Sequence, residues 1–121
     1  MSVRSAFMAA VLLVCGGSAQ AHDHLLPAND AWFDTLRVPT DGLPLNKGNS
    51  CCSQSDCKPR AFRVLGGGLY EMRNDAGDWV PFNSLIFITD PSVRANNPYL
   101  QFVGCIYSGV PVCAVMGPAG G

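Results

Sequence analysis

The run Cys51-Cys52-Ser53-Gln54-Ser55-Asp56-Cys57 holds three of the six cysteines in the chain. No other stretch restricts the fold as strongly. In a small chain that begins with an export leader, clustered thiols are expected to form disulfides. The compartment is oxidising, and the domain is too small to depend on apolar burial alone. Ser53, Gln54, Ser55 and Asp56 are turn-forming residues whose side chains bond nearby backbone N–H groups, so the knot is expected to be a loop.

Residues 1–21 read as a signal peptide. Arg4 supplies the positive start, Ala6 to Cys15 form an apolar run, and Ala19-Gln20-Ala21 fits the small-x-small pattern of a cleavage site. The run is too short for an ordinary transmembrane helix. Cys15 is followed by Gly16 and Gly17, as in a lipidation signal, but Val14 stands where such a signal carries a small residue. Cleavage after Ala21 is therefore the expectation, which leads to the periplasm or the cell exterior with no integral membrane segment remaining. Of 121 residues, 100 then remain, enough for one domain. Loss of Arg4 leaves seven basic against nine acidic side chains, which makes no electrostatic case for nucleic acid or an anionic membrane surface.

Residues 22–50 form a polar arm. Asn29 or Asp30 can cap a helix over Asp30 to Arg37, with Trp32, Phe33 and Leu36 on its apolar side and Val38-Pro39 ending it. Two turns of helix do not stand alone in water, so Trp32, Phe33 and Leu36 are assigned to docking on the domain. Thr40 to Ser50 has the composition of a linker.

Residues 51–121 are expected to form a small disulfide-stabilised β domain. Ala61–Leu65, Leu69–Arg73 and Asp78–Phe82 are β-like runs separated by Gly66-Gly67-Gly68 and Asn74-Asp75-Ala76-Gly77, which predicts two successive hairpins. Trp79, in the third run, is assigned to packing. Ser84–Thr89 is nearly all apolar and reads as a strand buried on both faces, ended by Asp90-Pro91. Ser92–Pro98 reads as a loop, and Tyr99–Tyr107 with Pro111–Met116 as a last pair of strands.

Five cysteines remain after cleavage, so one is odd. Cys51 and Cys52, being adjacent, are expected to send bridges in different directions. Cys105 and Cys113 face each other across the last hairpin if its loop has three residues; with a loop of two or four they fall out of register, and each reaches back to the knot. The preferred pairing joins Cys52 to Cys57 and Cys105 to Cys113, with Cys51 odd. The alternative ties Cys51 to one of the late pair and closes a long loop.

Chemistry is sparse. His22 and His24 are the only histidines, so the body has no Cys-His or Ser-His pair and no histidine for a zinc site. The carboxylates fall at turns, where capping accounts for them. No enzymatic activity is assigned. If cleavage follows Ala21, the new terminus His22-Asp23-His24 offers its amine, two amide nitrogens and the His24 imidazole. That set suits square-planar Cu(II) or Ni(II), with His22 nearby.

Trp32-Phe33 with Leu36 and Pro39, the Cys-Cys-Ser-x-x-Asp-Cys motif at 51–57, Gly-x-Trp-Val-Pro at Gly77 to Pro81, and the late Cys105 and Cys113 carry a resemblance. The chain resembles a group of short, uncharacterised exported bacterial proteins. The resemblance implies an envelope location and a cysteine framework, and transfers no catalytic residue.

The expectation is a mainly β, small α+β fold: disulfide-stapled antiparallel hairpins forming a small sheet or barrel, with one short N-terminal helix. The expected role is an exported binding or accessory protein of the envelope, acting on a partner protein or small ligand. Alternatives are Cu(II) or Ni(II) binding at the mature terminus, and thiol-redox partnership through the odd cysteine.

Overall fold

Alternation along β5 and β6 sets the architecture, because successive side chains of a strand point to opposite faces. The computed structural model describes residues 29–42, 44–51 and 56–120. The leader with Cys15, the histidines His22 and His24, and knot residues 52–55 with Cys52 lie outside them. The elements are helix α1 (Asp30–Phe33), strands β1 (Asp56–Pro59), β2 (Phe62–Gly66), β3 (Leu69–Arg73) and β4 (Trp79–Asn83), a 3-10 turn (Ser84–Ile86), helix α2 (Pro91–Ala95), and strands β5 (Val103–Tyr107) and β6 (Val110–Val115).

The strands form two antiparallel three-stranded sheets, ordered β1-β5-β6 and β2-β3-β4. The fold is mainly β, and it takes the form of two small sheets in place of a closed barrel. Val103, Cys105 and Tyr107 of β5 pack with Val112, Cys113 and Val115 of β6 against Trp32, Phe33 and Leu36. On the opposite face, Ile106 and Ala114 join Met72, Phe82, Phe102 and Phe62 in a second, aromatic core. The β1-β5-β6 sheet is thus a middle layer, with the α1 arm on one side and the β2-β3-β4 sheet on the other. The two sheets meet closely at Gly104, where a Cβ would stand 2.6 Å from Met72 Sδ.

Local turn chemistry explains the hairpins. Gly67 and Gly68 join β2 to β3 with positive φ of 64° and 78°, values that β-branched or bulky residues resist. Ser108 and Gly109 join β5 to β6 the same way. This second loop has two residues, the case expected to break the Cys105–Cys113 register. A bulge at Val112 restores it: Tyr107 pairs Val110 and Ile106 pairs Pro111, yet Cys105 pairs Cys113.

Five sequence expectations are corrected. The N-terminal helix stops at Phe33 instead of Arg37. Thr35 donates both its N–H and its hydroxyl to the Trp32 carbonyl, and the chain then runs extended so that Val38 N–H reaches Asn49 O and Cys51 N–H reaches Leu36 O. A helix through Arg37 would lose those bonds. By the same contacts, Thr40–Ser50 is more than a linker, since Leu45 is buried beside Val38 in the core.

Ser84–Thr89 is a 3-10 turn followed by a single bridge from Phe87 to Ala114, not a strand. Asn83 accepts from Leu85 N–H and starts the turn. Ser92–Pro98, expected as loop, begins within α2, where Asp90 is the N-cap, accepting from Ser92 N–H and Oγ, and Pro91 opens the helix.

The fifth correction is the disulfide pairing. The bridges are Cys51–Cys113 and Cys57–Cys105. Cys57 is therefore not joined to Cys52, Cys105 is not joined to Cys113, and Cys51 is not the odd cysteine. The alternative tying Cys51 to a late cysteine is the arrangement found. The reason lies in the ladder. Phe102 O accepts from Arg60 N–H on the β1 side, and Ala114 O accepts from Ile88 N–H on the side away from β5. Alternation then makes Cys57 and Cys105 a non-hydrogen-bonded pair, and Cys105 and Cys113 a hydrogen-bonded one. Non-hydrogen-bonded pairs stand closer, and the Cα atoms of Cys57 and Cys105 are 4.0 Å apart.

Candidate functional site

Two places gather chemistry. The first is the cysteine rung. Cys57, Cys105 and Cys113 lie side by side across three neighbouring strands. Cys51 comes in from the arm to meet Cys113, with Cα atoms 6.2 Å apart, and its carbonyl oxygen lies 3.6 Å from Cys57 Sγ. All four are buried, Cys57 least completely at 4% exposure.

The second is the outer face of the β2-β3-β4 sheet and its β2 edge. Period two puts Phe62, Met72 and Val80 inward and aligns Arg63, Glu71 and Pro81 outward, with Arg73 opposite Trp79 in the next row. Arg63 holds Glu71 through Nη2 at 2.7 Å and Nε at 2.8 Å. Its guanidinium carbon lies 4.2 Å from the centre of the Trp79 ring, and that of Arg73 lies 4.8 Å from it. Trp79 is half-buried between these cations, consistent with packing.

At the end of this sheet beside the Gly67-Gly68 turn, Val64, Leu65, Leu69 and Leu85 are all more than half exposed. Among the described residues β2 pairs only with β3 in its sheet, which leaves its other edge without a strand partner. The surface can offer apolar contact, a flat cationic stack and backbone pairing. These are means of binding.

Of the other residues singled out from sequence, Trp32, Phe33 and Leu36 are core residues, and Trp32 Nε1 donates to Val93 O at 2.7 Å. A groove of about 510 Å³ lies between α1 and α2, lined by Ala31, Thr35, Asp90, Ser92 and Asn96. In it the Asp90 carboxyl is held below its ordinary range by the Ser92 hydroxyl, then by the Ser92 N–H. The candidate metal ligands His22 and His24, and Cys52, lie outside the described residues. Among the described residues, no group of three or more His, Cys, Asp or Glu is placed to hold a metal ion.

Sequence reading missed the Arg63-Trp79-Arg73 stack and the β2 edge. Arg63-x-Leu65 and Glu71-x-Arg73 carry the period-two signal that puts them on one face, but the pairing partner of each strand has to be known before the rows align. No protein family, curated protein or solved structure matches this chain. Two intramolecular disulfides are compatible with an exported protein, and no helix among the described residues is long and apolar enough to cross a membrane.

Proposed function

We propose that this is an exported binding or accessory protein of the cell envelope, with the β2 edge and its neighbouring apolar end as the contact surface. The observation that carries the reading is that Val64, Leu65, Leu69 and Leu85, all at the Gly67-Gly68 end of the β2-β3-β4 sheet, are each more than half exposed, beside a β2 edge with no strand partner among the described residues. The buried bridges and the leader read from sequence support the envelope location.

The test of location is the intact mass of protein recovered from the periplasm. Loss of residues 1–21 and a mass lighter than the reduced form by two hydrogens per bridge are expected. A full-length, fully reduced chain would overturn the reading. For the surface, a photo-crosslinking side chain is placed at Leu69 and, as control, at exposed Ser92. An adduct at Leu69 that disappears with Leu65→Lys is expected. Equal labelling at both positions would reject this surface.

A second reading, thiol-redox partnership, is kept for one observation. The bridges use Cys51, Cys57, Cys105 and Cys113, so the odd cysteine of the exported chain becomes Cys52 in place of Cys51. Alkylation of the native, unreduced protein tests it, and a single label on Cys52 is expected.

A further inference from the structure

Three cysteines on one rung allow more than the two bridges they share. Cys105 stands directly opposite Cys57 on one side and Cys113 on the other. A hydrogen-bonded antiparallel pair has Cα atoms about 5.5 Å apart, inside the range that a disulfide spans. A Cys105–Cys113 bridge is therefore open to the folded chain without moving a strand. We propose that the two disulfides form one exchange-coupled unit, in which reducing one bridge by two electrons releases both Cys51 and Cys57 and leaves β5 stapled to β6.

The sequence of steps balances. Cys57 is the least buried of the four residues, so a dithiol reductant attacks there. Its thiolate displaces Cys105 as thiolate, and its second thiol closes on the mixed disulfide, leaving Cys57 as a thiol and the reductant as a disulfide. Cys105 thiolate then attacks Cys113 Sγ. The Cys105–Cys113 bond forms, the Cys51–Cys113 bond breaks, and Cys51 leaves as thiolate, with no further electron consumed. Cys51, Cys105 and Cys113 are fully buried and shielded from external reagents, but this second attack lies within the core and needs no solvent access. The exchange also replaces a bridge spanning 62 residues with one spanning a short hairpin, which favours it whenever the arm frays.

The consequence is directional. Cys51 ends the α1 arm, whose Leu36, Val38 and Leu45 cover the sulfur face of the sheet. Cys57 lies in the edge strand β1. One reduction event would unfasten the knot at both ends while the hairpin stays closed. This inference uses neither Cys52 nor the β2 surface, so it can fail without touching the binding reading, and the reverse.

The test uses the exported protein after existing thiols are blocked with iodoacetamide. One molar equivalent of dithiothreitol is added, the reaction is quenched with acid, new thiols are labelled with N-ethylmaleimide, and peptides are mapped without reduction. The expected doubly labelled species carries its labels on Cys51 and Cys57 and contains a Cys105–Cys113 peptide. Labels confined to Cys57 with Cys105, or to Cys51 with Cys113, would overturn the coupling. The Cys57→Ser variant checks it without any reductant: Cys105–Cys113 and Cys51–Cys113 forms should interconvert faster at pH 8 than at pH 5. A Cys57→Ser protein holding only Cys51–Cys113, with Cys105 labelled at every pH, would overturn it as well.

Discussion

The two sheets are the same size and are held by different means. In the β1-β5-β6 sheet, β1 pairs with a strand far along the chain, and both disulfides close across that gap, with sequence separations of 48 and 62 residues. The β2-β3-β4 sheet is a local meander with no cysteine. Its inner face is fixed by rings, with Phe62 on Phe102 at 4.4 Å and Tyr70 on Phe82 at 5.3 Å between centroids. Covalent closure sits where loop-closure entropy is largest, and side-chain contact suffices where strands are neighbours in sequence. Arg60 couples the two. Its side chain is 3% exposed, and it donates to Gly104 O in one sheet and to Arg73 O and Asp75 in the other.

The largest effect should come from the bridges. Replacing Cys51 and Cys113 together by Ala is expected to cost about 2–5 kcal/mol, read from urea unfolding, with amide exchange rising first in β5, β6 and the arm. Faster exchange in β2 to β4 alone would break the comparison. Trp32→Ala removes a ring that is 7% exposed, at a cost of about 3–5 kcal/mol at most, and leaves Val93 O without its donor. An unchanged melting temperature would mean that the arm does not fasten the sheet.

The contact between sheets is probed at Gly104. Gly104→Ala drives a methyl into buried Met72 and against Arg60 Cδ, and about 1–3 kcal/mol of destabilisation is expected. Met72→Ala in the same chain should recover part of it, and independence of the two substitutions in a double-mutant cycle would contradict the close approach. On the outer face, Arg63→Ala removes one cation from Trp79 and the Glu71 partner, an exposed pair worth about 0.5–1 kcal/mol. Its clearer readout is the fluorescence of Trp79 measured in a Trp32→Phe background.

The smallest effect concerns pH. The Asp90 carboxyl is lowered in the folded chain by Ser92. Its contribution to α2 is therefore complete above the unfolded-state value and is lost as pH falls through the folded one. Asp90→Asn should remove that acid-limb dependence and leave the neutral-pH fold intact, as read by exchange at Ser92 and Val93.

Legibility followed locality. β3 coincides with the expected Leu69–Arg73 strand, and β2 and β4 shift by one residue, because glycines at positive φ mark their turns in the sequence itself. The α2 helix is written just as plainly in Asp90-Pro91, but the polar residues that follow carry no apolar period to extend the signal. Ser84–Thr89 carried no local warning: an apolar run is the same string whether it lies in a strand or turns once under an Asn cap. The stack of Arg63 and Arg73 on Trp79 needs three strands in register before it exists.

By itself, the sequence determined a mainly β domain, its hairpin turns, a docked aromatic arm and a core that needs disulfides. Turn type depends on the backbone of two or three residues, and the need for bridges depends on size and cysteine content. Only the tertiary structure decided which cysteine meets which. That choice depends on whether a facing pair is hydrogen-bonded, which is set by the register of β1 against β5 and by one bulge at Val112. Neither is a property of any short stretch of chain. Cys105 faces a cysteine on both sides, and it bonds to the one the ladder brings closer.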